Sequence, residues 1–248
     1  IVPTKFVDTA TLATSSDGWI ADFDGDGIED ISIGRLPAGN TAEAAQMVEK
    51  ILRRPLTDNI REQRSNLFVA DSGFDSSADA LRATLPSGVE SGVIRRSQMG
   101  NSAMRQEIIR RIEEGQSVIT YIGHGSSVAW SNGNYFRVAD AAALTNDRLS
   151  LYLLMTCLNG YTHDVNGDSL AESLIKSQGG AYAVWVSSGV THTTGQMQIS
   201  RAATELIFRT GDRPLRLGEI VRAAKSATGD ADIRRTWMLI GDPTMFVR

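Results

Sequence analysis

Short apolar runs alternate with stretches of helical periodicity along the 248 residues, and this alternation constrains the fold more than any other feature. Continuous apolar runs without polar alternation are typical of strands that are buried on both faces of a parallel sheet. The stretches between them repeat apolar residues every three or four positions, as amphipathic helices do. We therefore predict an α/β fold in which helices cover both faces of a mostly parallel sheet.

The predicted elements follow from these patterns. The strands are expected at residues 31–34, 67–70, 89–94, 118–122, 151–156 and 181–186, with a late strand at 245–247. The helices are expected at residues 41–54, 101–114, 169–177, 196–209 and 217–227. Since no linker rich in Pro, Gly or Ser divides the sequence, we expect a single domain over residues 1–248.

Charge and apolar content exclude several kinds of partner. The net charge of −4 provides no basic footprint for nucleic acid or an anionic membrane. No apolar stretch approaches the roughly 18 residues that a membrane-spanning helix requires. We expect no nucleic-acid partner and no membrane span. A single cysteine also excludes an intrachain disulfide framework.

Two reactive side chains directly follow predicted strands. Cys157, the only cysteine, comes after the run at 151–156 and before turn residues. His124 comes after the run at 118–122, between glycines that leave backbone amides uncovered. Because parallel strands open their carboxyl ends onto one edge, we expect the thiol and the imidazole in one cleft. This pairing is typical of nucleophilic catalysis, and the alternative is an inert, buried cysteine.

An acidic loop near the N-terminus has the spacing of a calcium site. Carboxylates occupy positions 1, 3, 5 and 9 of the loop, glycine occupies position 6, and a carbonyl is available at position 7. The pattern then departs from an EF-hand, because Ile33 stands where the bidentate Glu would be. The alternative is a solvated acidic turn. The predicted ligands of a structural Ca²⁺ ion are Asp22, Asp24, Asp26, Ile28 and Asp30.

Two further polar groups are weaker metal candidates. One is the cluster that follows the cysteine, where Ser169 and Glu172 have the spacing of a helix capping box instead. The other combines Cys157 with the histidines, which lack the short ligand spacing of zinc sites. We expect a capped helix at the first and no zinc at the second. The first group consists of Asp164, Asn166 and Asp168 with Glu172, and the histidines of the second are His124, His163 and His192.

Several motifs resemble those of the gingipain-type cysteine peptidases, relatives of the caspases in clan CD. They are YIGHGS at 121–126, TCLNG at 156–160, GDPT at 241–244 and DISIGRLP at 30–37. The resemblance covers nearly the whole chain. It implies a caspase-like three-layer α/β sandwich, a cysteine endopeptidase, and a secreted or cell-surface bacterial protein that is made as a larger precursor.

The resemblance also implies a role for each matching residue. Cys157 is the expected nucleophile, and His124 is the expected partner that passes a proton to the departing amine. The backbone N–H groups of Gly125 and Cys157 are expected to form the oxyanion hole. Asp71 falls where the family has an acid that orients the histidine, although the gingipains carry Glu there.

The gingipains select a basic residue before the cut bond, which an acid in the pocket binds by a charge-assisted hydrogen bond. Asp75 and Asp79 are acids of the right type in the loop after Asp71. The loop at 187–192 lacks the Trp that arginine-specific members have, so arginine preference is a hypothesis here. The remaining substrate-binding residues are expected to be Trp130, Ser187 and Ser188.

The expected partners are a protein or peptide substrate and a cleaved upstream or pro-segment of the same precursor, because family members have further chain upstream of this region. Two other functions fit the sequence. One is a catalytically silent, calcium-stabilised module for adhesion or assembly, against which the retained His124 and Cys157 argue. The other is a caspase-like domain that processes only its own precursor.

Overall fold

The computed structural model describes residues 2–53, 64–209 and 214–247. The strands are β1 (Lys5–Asp8), β2 (Ala13–Ser16), β3 (Ser65–Ala70), β4 (Glu90–Arg95), β5 (Val118–Ile122), β6 (Ala129–Trp130), β7 (Phe136–Arg137), β8 (Ser150–Met155), β9 (Ala181–Ser187) and β10 (Trp237–Gly241). The helices are α1 (Thr41–Arg53), α2 (Asp75–Arg82), α3 (Asn101–Glu113), α4 (Val138–Ala142), α5 (Leu170–Lys176), α6 (Thr193–Phe208), α7 (Leu217–Lys225) and α8 (Ala231–Thr236), and 3₁₀ turns cover Gly18–Ile20 and Arg96–Gln98.

A six-stranded sheet forms the centre of the molecule, in the order β10, β9, β8, β5, β3, β4. Strands β9, β8, β5, β3 and β4 are parallel, whereas β10 runs antiparallel to β9. The carboxyl ends of the parallel strands therefore open onto one edge of the sheet. Strand β8 lies in the middle of the sheet, so the loop after it has neighbours on both sides.

Helices cover both faces of this sheet, as its continuously buried inner strands require. Leu67 and Val69 of β3 pack on one side, in a core that includes residues of α1, α3, α4 and α5. Phe68 and Ala70 pack on the other side, with residues of α2, α6, α7 and α8. The predicted α/β sandwich with helices on both faces is confirmed.

Two predicted strands are wrong. Residues 31–34 form no strand, because the backbone hydrogen bonds to β10 are made by Arg35, whose N–H donates to the Leu239 carbonyl over 2.9 Å. The last strand is β10 and not residues 245–247. The latter follow the turn at Pro243, and Phe246 forms a single bridge with Arg216.

The five predicted helices correspond to α1, α3, α5, α6 and α7, with ends that differ by up to three residues. Arg54, the predicted end of the first, lies outside the described residues. Sequence periodicity missed α2, α4 and α8 because helices of 8, 5 and 6 residues repeat their apolar positions too few times. Among the described residues, no helix is long and apolar enough to cross a membrane.

Candidate active site

Cys157 is partly exposed in the loop after the central strand β8. This loop is joined to the loop after β9, since the Leu158 N–H donates to the Gly189 carbonyl over 3.1 Å and the Gly160 N–H donates to the Ser187 carbonyl over 2.9 Å. Leu158 has a φ of 62°, a left-handed conformation that residues with a β-carbon seldom adopt. The two hydrogen bonds hold this tight turn beside the thiol.

On its other side the cysteine loop is joined to the histidine loop after β5. The buried side chain of Asn159 donates through Nδ2 to the carbonyls of Ser126 and Ala129, over 2.6 and 3.2 Å. A β-carbon at Gly125 would lie only 2.4 Å from the hydroxyl of Thr156. Only glycine permits this close approach, so the histidine and the cysteine are held in adjacent loops.

Asp71 lies in the loop after β3 with 2% of its surface exposed. Its Oδ1 accepts hydrogen bonds from the Ser72 N–H over 2.7 Å and from the Tyr135 hydroxyl over 2.9 Å. Its Oδ2 accepts from the His124 N–H over 3.2 Å. The carboxylate therefore holds the main chain of the histidine, and its hydrogen bond goes to the backbone rather than to the imidazole.

The carbonyl of His124 is fixed as well. It accepts from the Tyr121 hydroxyl over 2.6 Å and from the Ser131 N–H over 2.7 Å. Burial raises the pKa of Tyr121 well above its ordinary value, and the nearby Asp71 carboxylate raises it further. Burial likewise raises the pKa of Tyr135, which the hydrogen bond to Asp71 also raises. Both phenols stay protonated and can donate.

The side chain of His124 is exposed, and its ring makes an edge-to-face contact with Phe74 at a centroid distance of 5.4 Å. Phe74 directly precedes α2, on the loop that follows Asp71. Sequence reasoning missed this residue because a single aromatic in a short loop carries no periodic signal. The contact restricts the imidazole on one side and leaves the rest of the ring accessible.

The sulfur of Cys157 contacts the backbone of Thr191 in the loop after β9. The Thr191 N–H donates to Sγ over 3.5 Å, and Sγ lies 3.6 Å from the Thr191 carbonyl oxygen. In the part of the chain that the structure describes, the N–H groups of Gly125 and Cys157 have no hydrogen-bond acceptor. Two free backbone donors beside a thiol are what an oxyanion hole requires.

Three residues expected to line the cleft are fully buried instead. The ring of Trp130 stacks on Tyr121 at a centroid distance of 4.4 Å, so it belongs to the core. The Ser187 hydroxyl donates to the Gly189 carbonyl over 3.1 Å, and the Ser188 hydroxyl donates to a carbonyl of strand β2. The two serine side chains therefore fix the loop after β9 from inside the fold.

The two candidate specificity acids lie on the first turns of α2, next to Phe74. Arg95 pairs with both, through Nη1 to Asp75 over 3.4 Å and through Nη2 to Asp79 over 2.5 Å. The hydrogen bond from Arg95 lowers the pKa of Asp79. Asp79 is therefore ionised at neutral pH, and both acids already contact one guanidinium group.

In the acidic loop, one carboxylate oxygen from each of Asp22, Asp24 and Asp30 lies within 4.8 Å of the others. The Asp26 carboxylate does not belong to this group and accepts from the Ile28 N–H over 2.7 Å. Three of the predicted ligands are thus brought together. Such a set of hard oxygen donors suits calcium.

The second acidic cluster caps a helix, as predicted. The Ser169 hydroxyl accepts from the Glu172 N–H over 3.3 Å, and Glu172 Oε2 accepts from the Ser169 N–H over 2.8 Å. Burial raises the pKa of Glu172. His163 packs between the rings of Phe6 and Tyr161, and burial lowers its pKa.

Comparison with known proteins identifies what this arrangement resembles. The model of the family described as Peptidase family C25 matches residues 1–248. A crystal structure of the Arg-specific cysteine proteinase gingipain R (RgpB) superposes with a TM-score of 0.85 at 19% identity, covering 100% of this chain and 62% of that one. The complex of Porphyromonas gingivalis RgpB pro- and mature domains gives 0.81 at 19% identity, covering 98% and 62%.

A more distant likeness is to the Saccharomyces cerevisiae separase–securin complex, with a TM-score of 0.61 at 14% identity, covering 88% of this chain and 14% of that one. No curated protein matches the sequence. The chain spans 62% of the length of the gingipain structures. At these identities the likenesses establish the caspase-like fold.

Proposed function

We propose, from the premise that this chain belongs to peptidase family C25, that it is a cysteine endopeptidase acting through Cys157 and His124. The observation that carries the proposal is the joining of their loops. Asn159 crosses from one to the other, and Gly125 packs against the residue before the thiol. A partly exposed thiol and an exposed imidazole in adjacent, fixed loops are suited to nucleophilic catalysis.

In the proposed reaction, the Cys157 thiolate attacks the scissile carbonyl carbon and the oxyanion accepts hydrogen bonds from the N–H groups of Gly125 and Cys157. His124 gives a proton to the departing amine, which leaves an acyl thioester on the sulfur. His124 then takes a proton from water, whose oxygen attacks the thioester and releases the carboxylic acid, so that the Cys157 thiolate and the protonated His124 are restored. Asp71 contributes by positioning the histidine main chain.

The proposed specificity is for a basic residue before the cut bond. Its support is the acidic pair on α2, adjacent to Phe74 and so to the imidazole. A substrate guanidinium or ammonium group would share or displace Arg95 on Asp75 and Asp79. The proposed substrates are proteins or peptides, and a cleaved pro-segment of the same precursor is a second proposed partner. We also propose a secreted or cell-surface location and a single catalytic domain.

We expect peptidyl electrophiles to label Cys157 stoichiometrically. The measurement is the intact mass after treatment with acyloxymethyl ketones that carry Arg, Lys, Ala or Asp at the specificity position. Cys157→Ala is the control and should gain no mass. Rates about tenfold higher for Arg and Lys would reflect a charge-assisted contact. Labelling no faster than that of glutathione would contradict the enzyme and favour a silent module, and equal rates across the panel would contradict basic specificity.

We further propose that the acidic loop holds a structural Ca²⁺ ion through Asp22, Asp24, Asp26, Ile28 and Asp30. Its support is the convergence of three of these carboxylates. The exposed position of the cluster agrees with a weak site of the extracellular type, with a Kd of about 10⁻⁴ to 10⁻³ M. The Asp26 side chain would have to turn from the Ile28 N–H to join the ion.

Calcium at about 10 mM is expected to stabilise the fold by about 1.4 to 2.7 kcal/mol through mass action. For a chain of this size, that corresponds to a rise in Tm of about 3 to 10 °C. The measurement is a thermal melt with Ca²⁺, with Mg²⁺ and with EDTA. Asp24→Asn is the control and should remove the Ca²⁺ effect. An equal Tm in Ca²⁺ and EDTA would contradict the site.

A further inference from the structure

The strongest unassigned feature lies behind the thiol, in the first turn of α6. Gln196 has 4% of its surface exposed. Its side-chain Nε2 donates to the Thr191 hydroxyl over 3.0 Å and to the Thr191 carbonyl over 3.3 Å. A buried amide needs hydrogen-bond partners, and the Nε2 group of this one directs both of its hydrogen bonds to a single residue of the loop after β9.

That residue is the one whose backbone contacts the sulfur. The Thr191 N–H donates to Cys157 Sγ over 3.5 Å, and Sγ lies 3.6 Å from the Thr191 carbonyl oxygen. An S–H group can donate to the carbonyl, whereas a thiolate is stabilised only by the N–H. The conformation of the Thr191 backbone, which sets the directions of its N–H and its carbonyl, therefore decides which charge state of the sulfur is favoured.

Gln196 acts on this balance through the carbonyl. Its amide N–H group competes for the oxygen that faces the sulfur, so the lone pairs of that oxygen are drawn away from the thiolate. It also fixes the loop to a 16-residue helix, so that the Thr191 N–H keeps its direction. The Thr191 hydroxyl adds a second attachment point.

We propose that Gln196 is a positioning residue for Cys157, which holds the backbone of Thr191 so that the Thr191 N–H faces the sulfur. The inference rests on the proposed function for what the thiol does, but its geometry stands independently. The surrounding loops also carry carboxyl and imidazole groups, and the test leaves all of them in place. They are Asp71, His124, His163, Asp164 and His192.

The test compares Gln196→Met with a matched control, Gln46→Met. Methionine has nearly the length and shape of glutamine and suits a helix, but it cannot donate. Gln46 is also a helical glutamine, and its Nε2 donates to the Lys176 carbonyl over 2.9 Å, in a hydrogen bond to α5 rather than to the loops around the sulfur. The readout is the rate of alkylation by iodoacetamide across pH, measured by intact mass.

Gln196→Met should move the midpoint of the alkylation profile upward by about half a pH unit or more, since the Thr191 backbone loses the hydrogen bonds that keep its N–H directed at the thiolate. Labelling by the best peptidyl electrophile should slow about tenfold. Thr191→Val removes one of the two Gln196 bonds and keeps the backbone contacts, so it should give a smaller shift in the same direction. Gln46→Met should match the wild type in both readouts.

A wild-type profile in Gln196→Met would overturn the inference, as would an equal shift in Gln46→Met, which would indicate general loosening. If Gln196→Met does not fold, Thr191→Val decides alone, and a wild-type profile there overturns the inference. Iodoacetamide reacts with any accessible thiolate, so these outcomes are read even when peptidyl electrophiles do not label the wild type. A failure of the peptidyl electrophiles to label the wild type would count against the proposed endopeptidase and not against the role of Gln196.

Discussion

Replacing His124 by alanine is expected to lower kcat/KM for a peptide substrate by about 10² to 10⁴-fold, the range typical of general acid–base catalysis. The loss should be confined to chemistry. In the described part of the chain, His124 forms its hydrogen bonds through its backbone, whose N–H donates to Asp71 and whose carbonyl accepts from Tyr121, and alanine keeps both. The imidazole itself is exposed and packs only edge-on against Phe74.

The measurement is steady-state hydrolysis of a fluorogenic peptide, with a thermal melt of each variant. His192→Ala is the matched control, because it removes another exposed histidine from a neighbouring loop at a helix start where the side chain makes no capping bond. It should lose much less activity. If His124→Ala retained activity within threefold of His192→Ala, the histidine would not be the proton carrier.

The two central residues could be predicted because their position depends on local pattern. Apolar runs locate the strands, parallel strands end at one edge, and Cys157 and His124 come directly after such runs. The supporting residues carry no such signal. Gln196 and Thr191 lie more than 30 positions beyond Cys157, and only the crossover through β9 brings them to the sulfur.

Local composition also gave wrong predictions of side-chain exposure where tertiary packing determines it. Trp130 lies in a stretch rich in Gly, Ser and Asn, which predicts an accessible loop. In the structure, Trp130 lies in the short hairpin of β6 and β7, and its ring packs on Tyr121 and Phe136 in the core. Residues 31–34 are as apolar as an edge strand, but Arg35 is bound by the carboxylate of Asp17 and meets β10 at one point.

The second large effect concerns stability and a buried ion pair. Lys225 of α7 is 0% exposed, and its Nζ donates to Oε1 of Glu29, which lies inside the acidic loop. The other carboxylate oxygen of Glu29 is buried without a hydrogen-bond partner among the described residues. Lys225→Met would therefore leave an uncompensated buried carboxylate. We expect the free energy of unfolding to fall by about 3 to 5 kcal/mol, the cost of removing one partner of such a pair.

Urea unfolding followed by circular dichroism measures this change. Replacing both partners, Glu29→Met with Lys225→Met, should restore much of the stability, because two apolar side chains carry no desolvation penalty. The control is Arg201→Met, which breaks the exposed pair with Glu205 and should cost less than about 1 kcal/mol. A loss below 1 kcal/mol in Lys225→Met would contradict the argument. Since Glu29 lies between Ile28 and Asp30, the single variant should also weaken the rise in Tm with Ca²⁺, and this would link α7 to the order of the acidic loop.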